Sequence, residues 1–186
     1  MSAIIYTRHD GGVSICYPTE WVISALGSGG IWGHLPPGVM DRQIASMVNR
    51  GVNEDAAHRY AKAAMFGGCT TAEALGIIRD RDCAHLGTAI ELWAVGDIPD
   101  DRWFRDAWKR SHNGGPISIS LPLAKRIHIR RIGAAVIDEN KRRERELMAP
   151  IEYNRDSLRS RVMNARDEYE LRCIWPGELN EQRNIP

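Results

Sequence analysis

The feature that most constrains the fold is a helical pattern that begins at residues 121–122 and continues to about residue 148. Pro122 suits the first turn of a helix, where its missing N–H has no partner to lose. Apolar side chains follow two adjacent sides of this helix, but past Ile137 every side is polar. The apolar residues are Leu123, Ile127 and Ala134 on one side, and Ile129, Ile132 and Val136 on the other. A helix that is polar on every face either projects into solvent or meets a partner through charge.

A polar helix of this kind is typical of a protein that assembles. An isolated helix is only marginally stable in water, so it gains stability when a neighbour covers it. We therefore interpret residues 121–186 as a projecting helical arm and tail. A second helix is predicted over 156–165, a short one over 167–173 and a loose end over 177–186. The arm predicts self-association or a place in a larger assembly.

The clearest local pattern is an N-terminal β-hairpin. Residues 4–8 are β-branched and aromatic, and residues 13–17 alternate apolar with polar side chains. The Asp10-Gly11 step between them tolerates the positive φ that a tight turn needs. Pro18 ends the second strand because it has no N–H for the ladder.

Helical signals fill about residues 19–87. Thr19 and Asn53 are good N-caps, and the pair Thr70 and Glu73 forms a capping box. The predicted helices begin at residues 19, 40, 53 and 70. They form a compact bundle inserted into the N-terminal part of the chain.

Two short strands are predicted after the bundle, over residues 89–95 and 117–120. Between them, residues 101–109 predict a short helix, because aromatic side chains recur there at helical spacing and would face the core. These aromatic residues are Trp103, Phe104 and Trp108.

The predicted fold class is therefore α+β. A small, mostly antiparallel sheet consists of the hairpin and the two short strands, and it carries the inserted helical bundle and the projecting C-terminal arm. Residues 1–120 would form the α+β head, with the insertion at about 19–87, and residues 121–186 the helical arm and tail.

The cysteines and glycines offer no recognisable chemical site. Cys69, Cys83 and His85 come nearest to a metal pattern, but a structural zinc site needs four ligands, usually as two close pairs. The glycine-rich loop 27–38 lacks the Gly-Lys-Ser/Thr sequence that closes a phosphate-binding loop. We expect small buried thiols, no metal, no cofactor and no catalytic set.

Charge and hydropathy argue against several other classes of protein. The chain of 186 residues has 25 basic and 24 acidic side chains, and the basic excess lies in residues 122–147, with 8 basic and 4 acidic residues. Because the two signs are interleaved there, we expect a self-paired surface rather than a nucleic-acid site. No apolar run approaches the roughly 20 residues of a membrane span, and the first residues do not match a secretory signal.

Three segments carry a resemblance to a known group: residues 4–15, residues 97–108, and residues 120–128 followed by Arg130 and Arg131. They resemble small, uncharacterised phage and prophage proteins, often tail-associated, that share a Pro-x-Asp-Arg-x-Phe-Arg-x-Ala-Trp signature. The resemblance implies a phage product encoded near tail genes. It adds no catalytic or ligand residues, because the group has none established.

These observations together predict a non-enzymatic, tail-associated virion protein that acts through protein–protein assembly. The alternatives are an assembly chaperone for a tail or tail fibre, and an intracellular regulator or host-defence inhibitor that binds nucleic acid or a nucleoprotein. The expected partners are other phage structural proteins and further copies of the chain, and the expected location is the virion after synthesis in the host cytoplasm. The candidate partner contacts are Trp103, Phe104, Trp108, Ile129, Ile132, Val136, Arg142 and Arg145.

Overall fold

A computed structural model describes residues 2–33, 35–36 and 38–180. It is mixed α+β, as the sequence predicts, with small antiparallel sheets and eight α-helices within that part of the chain. The chain divides into two compact units. The N-terminal unit comprises Met1–Asp100 and Lys109–Ile117, and the C-terminal unit comprises Asp101–Trp108 and Ser118–Pro186.

The N-terminal unit contains a three-stranded antiparallel sheet in the order β2-β1-β3. The strands are β1 (Ser2–Arg8), β2 (Val13–Cys16) and β3 (Gly87–Ala94). The predicted hairpin is confirmed, and its turn depends on Asp10, whose carboxylate accepts the N–H of Gly12 at 2.7 Å. Gly11 has a φ of 75°, the positive value that the sequence predicts at this step.

Four helices cover the middle of this unit: α1 (Glu20–Ser28), α2 (Val39–Asn49), α3 (Glu54–Phe66) and α4 (Thr71–Asp82). Three of the four have the caps that the sequence predicts, at Thr19, Asn53 and Thr70, and the last is a complete capping box. Their apolar faces form the core with the sheet. Fully buried members include Ile4, Leu26, Ala57, Ala64, Ala74 and Cys83.

The glycines at the C-terminal ends of α1 and α3 serve a packing role. The Gly68 N–H donates to the Gly27 carbonyl at 2.8 Å, so the end of α1 lies directly against the end of α3. A Cβ atom on Gly67 would collide with the backbone of Ser28 and Gly29. The sequence analysis interprets residues 27–38 as a loop, but Gly27 and Ser28 belong to α1 and are fixed by this close backbone approach. His34 and Pro37 of that loop lie outside the described residues.

The predicted helix over residues 101–109 is wrong. Only Arg105–Ala107 forms a 3₁₀ turn, and Trp108 begins strand β4 (Trp108–Ser111), which pairs with β5 (Gly114–Ile119). Trp108 has extended backbone angles, φ −64° and ψ 134°, and a buried ring. Aromatic residues favour the extended conformation, and burial of this ring decides against the helix that the spacing favours.

The C-terminal unit contains α5 (Leu121–Arg145), α6 (Arg155–Asn164), α7 (Glu168–Arg172) and α8 (Gly177–Asn180). α5 is the long helix that the sequence predicts, and α6 and α7 pack along it. The predicted loose end contains a helical turn, α8, in which Leu179 is buried, and residues 181–186 lie outside the described part. The core of this unit includes Phe104, Ala124, Ile132, Leu171 and Trp175.

Candidate protein-binding groove

The polar half of α5 finds partners within its own unit. Glu139 is buried and accepts two hydrogen bonds from Arg142, at 2.8 and 2.5 Å, and one from Arg143 at 3.1 Å. Arg143 also pairs with Glu178 at 2.7 Å, and the Asn140 side-chain oxygen accepts the Ile151 N–H at 2.8 Å. The sequence analysis expects the charges of this half to pair with one another but leaves it without a contact to other segments of the chain. The structure corrects the second point, because Glu178 and Ile151, which are distant in sequence, contact it.

The ion pairs around Glu139 make the stability of this unit dependent on pH. The hydrogen bonds from Arg142 and the single hydrogen bond from Arg143 lower the pKa of Glu139 from 4.5 to about 2, against the opposing effect of burial. A carboxyl group whose pKa is lowered by folding stabilises the native state at pH values above its pKa in the unfolded chain. That contribution is lost as the pH falls through its pKa in the folded chain. The contribution is therefore complete above about pH 4.5 and disappears between pH 4.5 and 2.

We expect Glu139→Gln to reduce the loss of stability that wild type shows as the pH falls from 4.5 to 2. The measurement is the urea midpoint of unfolding as a function of pH between 2 and 7. The matched control is Glu144→Gln, since Glu144 is exposed on the same helix and has no ion pair among the described residues. An equal acid dependence in wild type and Glu139→Gln would contradict the role of this carboxylate.

Four of the eight candidate partner contacts belong to the core of the chain itself. Phe104 is fully buried, and Trp108, Ile132 and Val136 are 2%, 3% and 8% exposed. Phe104 and Trp108 therefore offer no accessible surface to a partner in this fold, whereas Ile132 and Val136 line a groove between α5 and α6. Phe104 belongs to an aromatic cluster in the C-terminal unit, in which the rings of Phe104 and Trp175 lie edge-on to His128.

The other four candidates are at least partly accessible. Trp103 is half-buried, with the Arg131 guanidinium 5.2 Å from its ring centre. Arg142 is held by Glu139 and Glu146, and Arg145 is exposed with its Nε donating to a backbone carbonyl of its own helix at 3.2 Å. Ile129 is half-buried and lies at the edge of a groove.

That groove runs between α5 and α6 and has a volume of about 280 Å³. Its floor is apolar, and it continues to an exposed surface at Ile137, whose side chain is 56% exposed. A Cβ atom on Gly133 would meet nothing within 4 Å, so the helix leaves the floor open at that point. The apolar residues that line the groove include Ile129, Ile132, Val136, Ile137, Leu158 and Val162.

Two arginines on α6 border the groove. Arg155 and Arg159 are exposed and lie one helical turn apart. Among the described residues neither forms an ion pair with a carboxylate, whereas Arg142 and Arg143 on α5 both do. The groove therefore combines an apolar floor with a positive edge whose charge is not neutralised by the described part of the chain.

The sequence analysis finds Ile129 and predicts a second helix over 156–165, but it assigns no contact to Ile137, Arg155 or Arg159. A signal for the arginines exists, because Arg155 and Arg159 repeat at i and i+4 beside Leu158 and Val162, which have the same spacing. The groove itself requires α6 to lie along α5, and the sequence pattern does not specify that packing.

The described residues contain no group of three or more His, Cys, Asp or Glu side chains that could hold a metal ion. No helix in the same part of the chain is long and apolar enough to cross a membrane. In comparisons with known proteins, no family model, no curated protein and no solved structure matches the chain.

Proposed function

We propose that this chain is a non-enzymatic bacteriophage protein that works by protein–protein assembly, with the groove between α5 and α6 as its contact surface. The observation that carries the proposal is the apolar floor bordered by Arg155 and Arg159. The phage setting rests on the resemblance of residues 4–15, 97–108 and 120–128, followed by Arg130 and Arg131, to tail-associated phage proteins. The protein would be made in the host cytoplasm and incorporated into the virion.

The lining of the groove favours a polypeptide over a small molecule. Small-molecule sites combine an enclosed apolar cavity with a few convergent polar groups that fix the ligand. Here the floor lies between two helices, it is bordered by exposed Ile137, and the two guanidinium groups lie on one edge. An apolar groove between helices is a common binding site for the apolar face of another helix.

The charge of the edge indicates which helix would bind. Guanidinium groups form strong paired hydrogen bonds with carboxylates, and exposed charges across an interface determine orientation and partner choice. The expected occupant is therefore a helix with an apolar face and carboxylates beside it, supplied by another structural protein of the particle. A second copy of the chain is the alternative source.

We expect a photo-crosslinking amino acid at position 137 to link the chain to one phage-encoded protein during infection. Ile137 borders the groove, so a bound helix lies within reach of its side chain. The control carries the same amino acid at position 169, because Tyr169 is 76% exposed and lies outside the groove. The measurement is mass spectrometry of the crosslinked product.

Charge reversal at the edge tests the same contact. The pair Arg155→Glu and Arg159→Glu should reduce the position-137 crosslink severalfold and leave the far-UV circular dichroism spectrum unchanged, since both side chains are exposed. Equal crosslinking from positions 137 and 169 would count against the groove as the contact surface.

Mass spectrometry of purified particles separates a virion component from an assembly chaperone. A structural protein is present in complete particles in a fixed ratio to the other tail proteins. A chaperone uses the same groove during infection but is absent from finished particles. Absence from both the particles and the crosslinked assembly intermediates would overturn the proposed function.

A further inference from the structure

Another cavity lies in the N-terminal unit, bounded by α2, α3 and the C-terminal end of α4, with a volume of about 340 Å³. Small-molecule sites have volumes of roughly 300–1,000 Å³, so the cavity is large enough for a small ligand. Gln43, Met47 and Arg50 line it and follow one another at helical spacing, so one face of α2 and its end forms a wall. Met47 and Val52 are buried and supply apolar surface.

Two aromatic rings and a guanidinium group hold one another in place at this cavity. The ring of Trp32 lies edge-on to that of Tyr60, with 5.3 Å between the centres, and the Arg81 guanidinium lies over the Tyr60 ring at 4.0 Å. Arg81 also donates two hydrogen bonds to the Asp82 carboxylate, both at 2.6 Å. Tyr60 is buried, whereas Trp32 is half-buried. Trp32 therefore offers a partly accessible flat ring beside polar groups of fixed orientation.

The polar part of the lining is rich in hydrogen-bond donors. Arg50 is exposed, its Nε donates to the Ser46 carbonyl at 3.2 Å, and it forms no ion pair within the described part of the chain. The next residue, Gly51, lies against the His85 ring, because a Cβ atom there would be 3.5 Å from the imidazole Cδ2. Among the residues that line the cavity, two arginines exceed the carboxylate of Asp82, so the lining favours an anionic group.

We propose that this cavity binds a nucleoside monophosphate. The faces of a nucleobase stack on aromatic side chains, and Trp32 supplies such a ring. A phosphate group forms strong hydrogen bonds with guanidinium groups, and Arg50 supplies a guanidinium without a carboxylate partner among the described residues. Ribose hydroxyls donate to carboxylates, and Asp82 supplies the acceptor. The site lies in the N-terminal unit and is independent of the groove and of the proposed function.

Other classes of small ligand fit the lining less well. Inorganic phosphate would use neither the Trp32 ring nor the Asp82 carboxylate, and a free nucleoside would leave Arg50 without an anion. A cationic ligand is disfavoured because the Arg81 guanidinium already lies over the Tyr60 ring. The combination of a flat ring, a carboxylate and a guanidinium corresponds to the base, the sugar and the phosphate of one nucleotide.

Isothermal titration calorimetry of the full-length chain with AMP, GMP, CMP and UMP tests the proposal. We expect at least one of the four to bind with a Kd below about 1 mM. The corresponding nucleoside, ribose 5-phosphate and inorganic phosphate should each bind at least about tenfold more weakly. Binding of none of the four nucleotides would overturn the proposal. Inorganic phosphate that binds as tightly as the nucleotide would overturn it too, because the cavity would then be an anion site.

Variants of the lining locate the ligand in this cavity. Arg50→Gln should reduce the affinity for the nucleotide to that for the nucleoside, because the phosphate loses its guanidinium partner. The matched control is Arg42→Gln, since Arg42 is exposed on the same helix and does not line the cavity. Trp32→Leu should weaken the nucleotide and the nucleoside alike, while Trp32→Phe retains a ring and much of the affinity. Equal nucleotide affinities in Arg50→Gln and Arg42→Gln, with both chains folded by circular dichroism, would overturn the proposal.

Discussion

Replacing Trp175 with alanine is expected to lower the free energy of unfolding of the C-terminal unit by about 3–5 kcal/mol. The side chain is 1% exposed and its ring lies edge-on to His128, with a centre-to-centre distance of 4.9 Å. A second edge contact joins it to Trp103 at 6.4 Å, and its Nε1 donates to the Arg172 carbonyl at 2.8 Å. The substitution removes all three contacts and leaves a cavity between α5 and α7.

Urea unfolding followed by far-UV circular dichroism measures this loss. The matched control is Tyr169→Ala, which removes an aromatic ring from the same unit at a position that is 76% exposed. The control should change the free energy of unfolding by less than about 0.5 kcal/mol. If Trp175→Ala unfolds at the same urea concentration as Tyr169→Ala, this ring does not anchor the core of the unit.

Contacts from later segments of the chain explain why the long helix differs from the sequence interpretation. Local spacing shows that residues 121–145 form a helix and that its second half is polar. It does not show that Glu178 returns to Arg143, or that Ile151 meets Asn140, since those partners come from later segments. Contacts of this kind depend on tertiary packing, which residue periodicity does not encode.

Elements with local signals are predicted best. The hairpin turn at Asp10 and Gly11 and the caps at Asn53 and Thr70 each depend on side chains within a few residues, and all are confirmed. Residues 101–109 fail for the opposite reason. Their aromatic spacing fits a helix, but the burial of Trp108 and the pairing of β4 with β5 determine the backbone.

The candidate site depends on still longer-range packing. The groove requires α6 to lie beside α5. The sequence supplies the residue types that line the groove, but it does not specify how the two helices pack.

Arg110 should be the most sensitive charged residue of the N-terminal unit. It lies in β4 with its side chain fully buried. Its Nε donates to the Gly115 carbonyl at 2.7 Å, its Nη1 donates to the Ala89 carbonyl at 2.8 Å, and its Nη2 pairs with Glu91. Ala89 has a φ of 48°, a conformation that costs a non-glycine residue about 1–2 kcal/mol. The bond from Arg110 therefore helps to hold an irregular point of β3.

We expect Arg110→Met to lower the free energy of unfolding of this unit by about 3–5 kcal/mol. Hydrogen bonds from a charged donor contribute about 1.5–3 kcal/mol each, and methionine replaces neither carbonyl bond. The Glu91 pair adds little to the estimate because Glu91 is 43% exposed and water can solvate it. Glu91→Gln should accordingly change the free energy of unfolding by less than about 1 kcal/mol.

Urea unfolding again provides the measurement, with Arg42→Met as the matched control because Arg42 is exposed in the same unit. That control removes a guanidinium without opening a buried network, so its effect should stay within about 0.5 kcal/mol. Arg110→Lys keeps the charge, but an ammonium group cannot reach both carbonyls as the planar guanidinium does. Its loss in free energy of unfolding should therefore fall between those of Arg110→Met and Arg42→Met. A lysine variant as stable as wild type would mean that charge alone, and not the two directed bonds, holds β3 and β4 together.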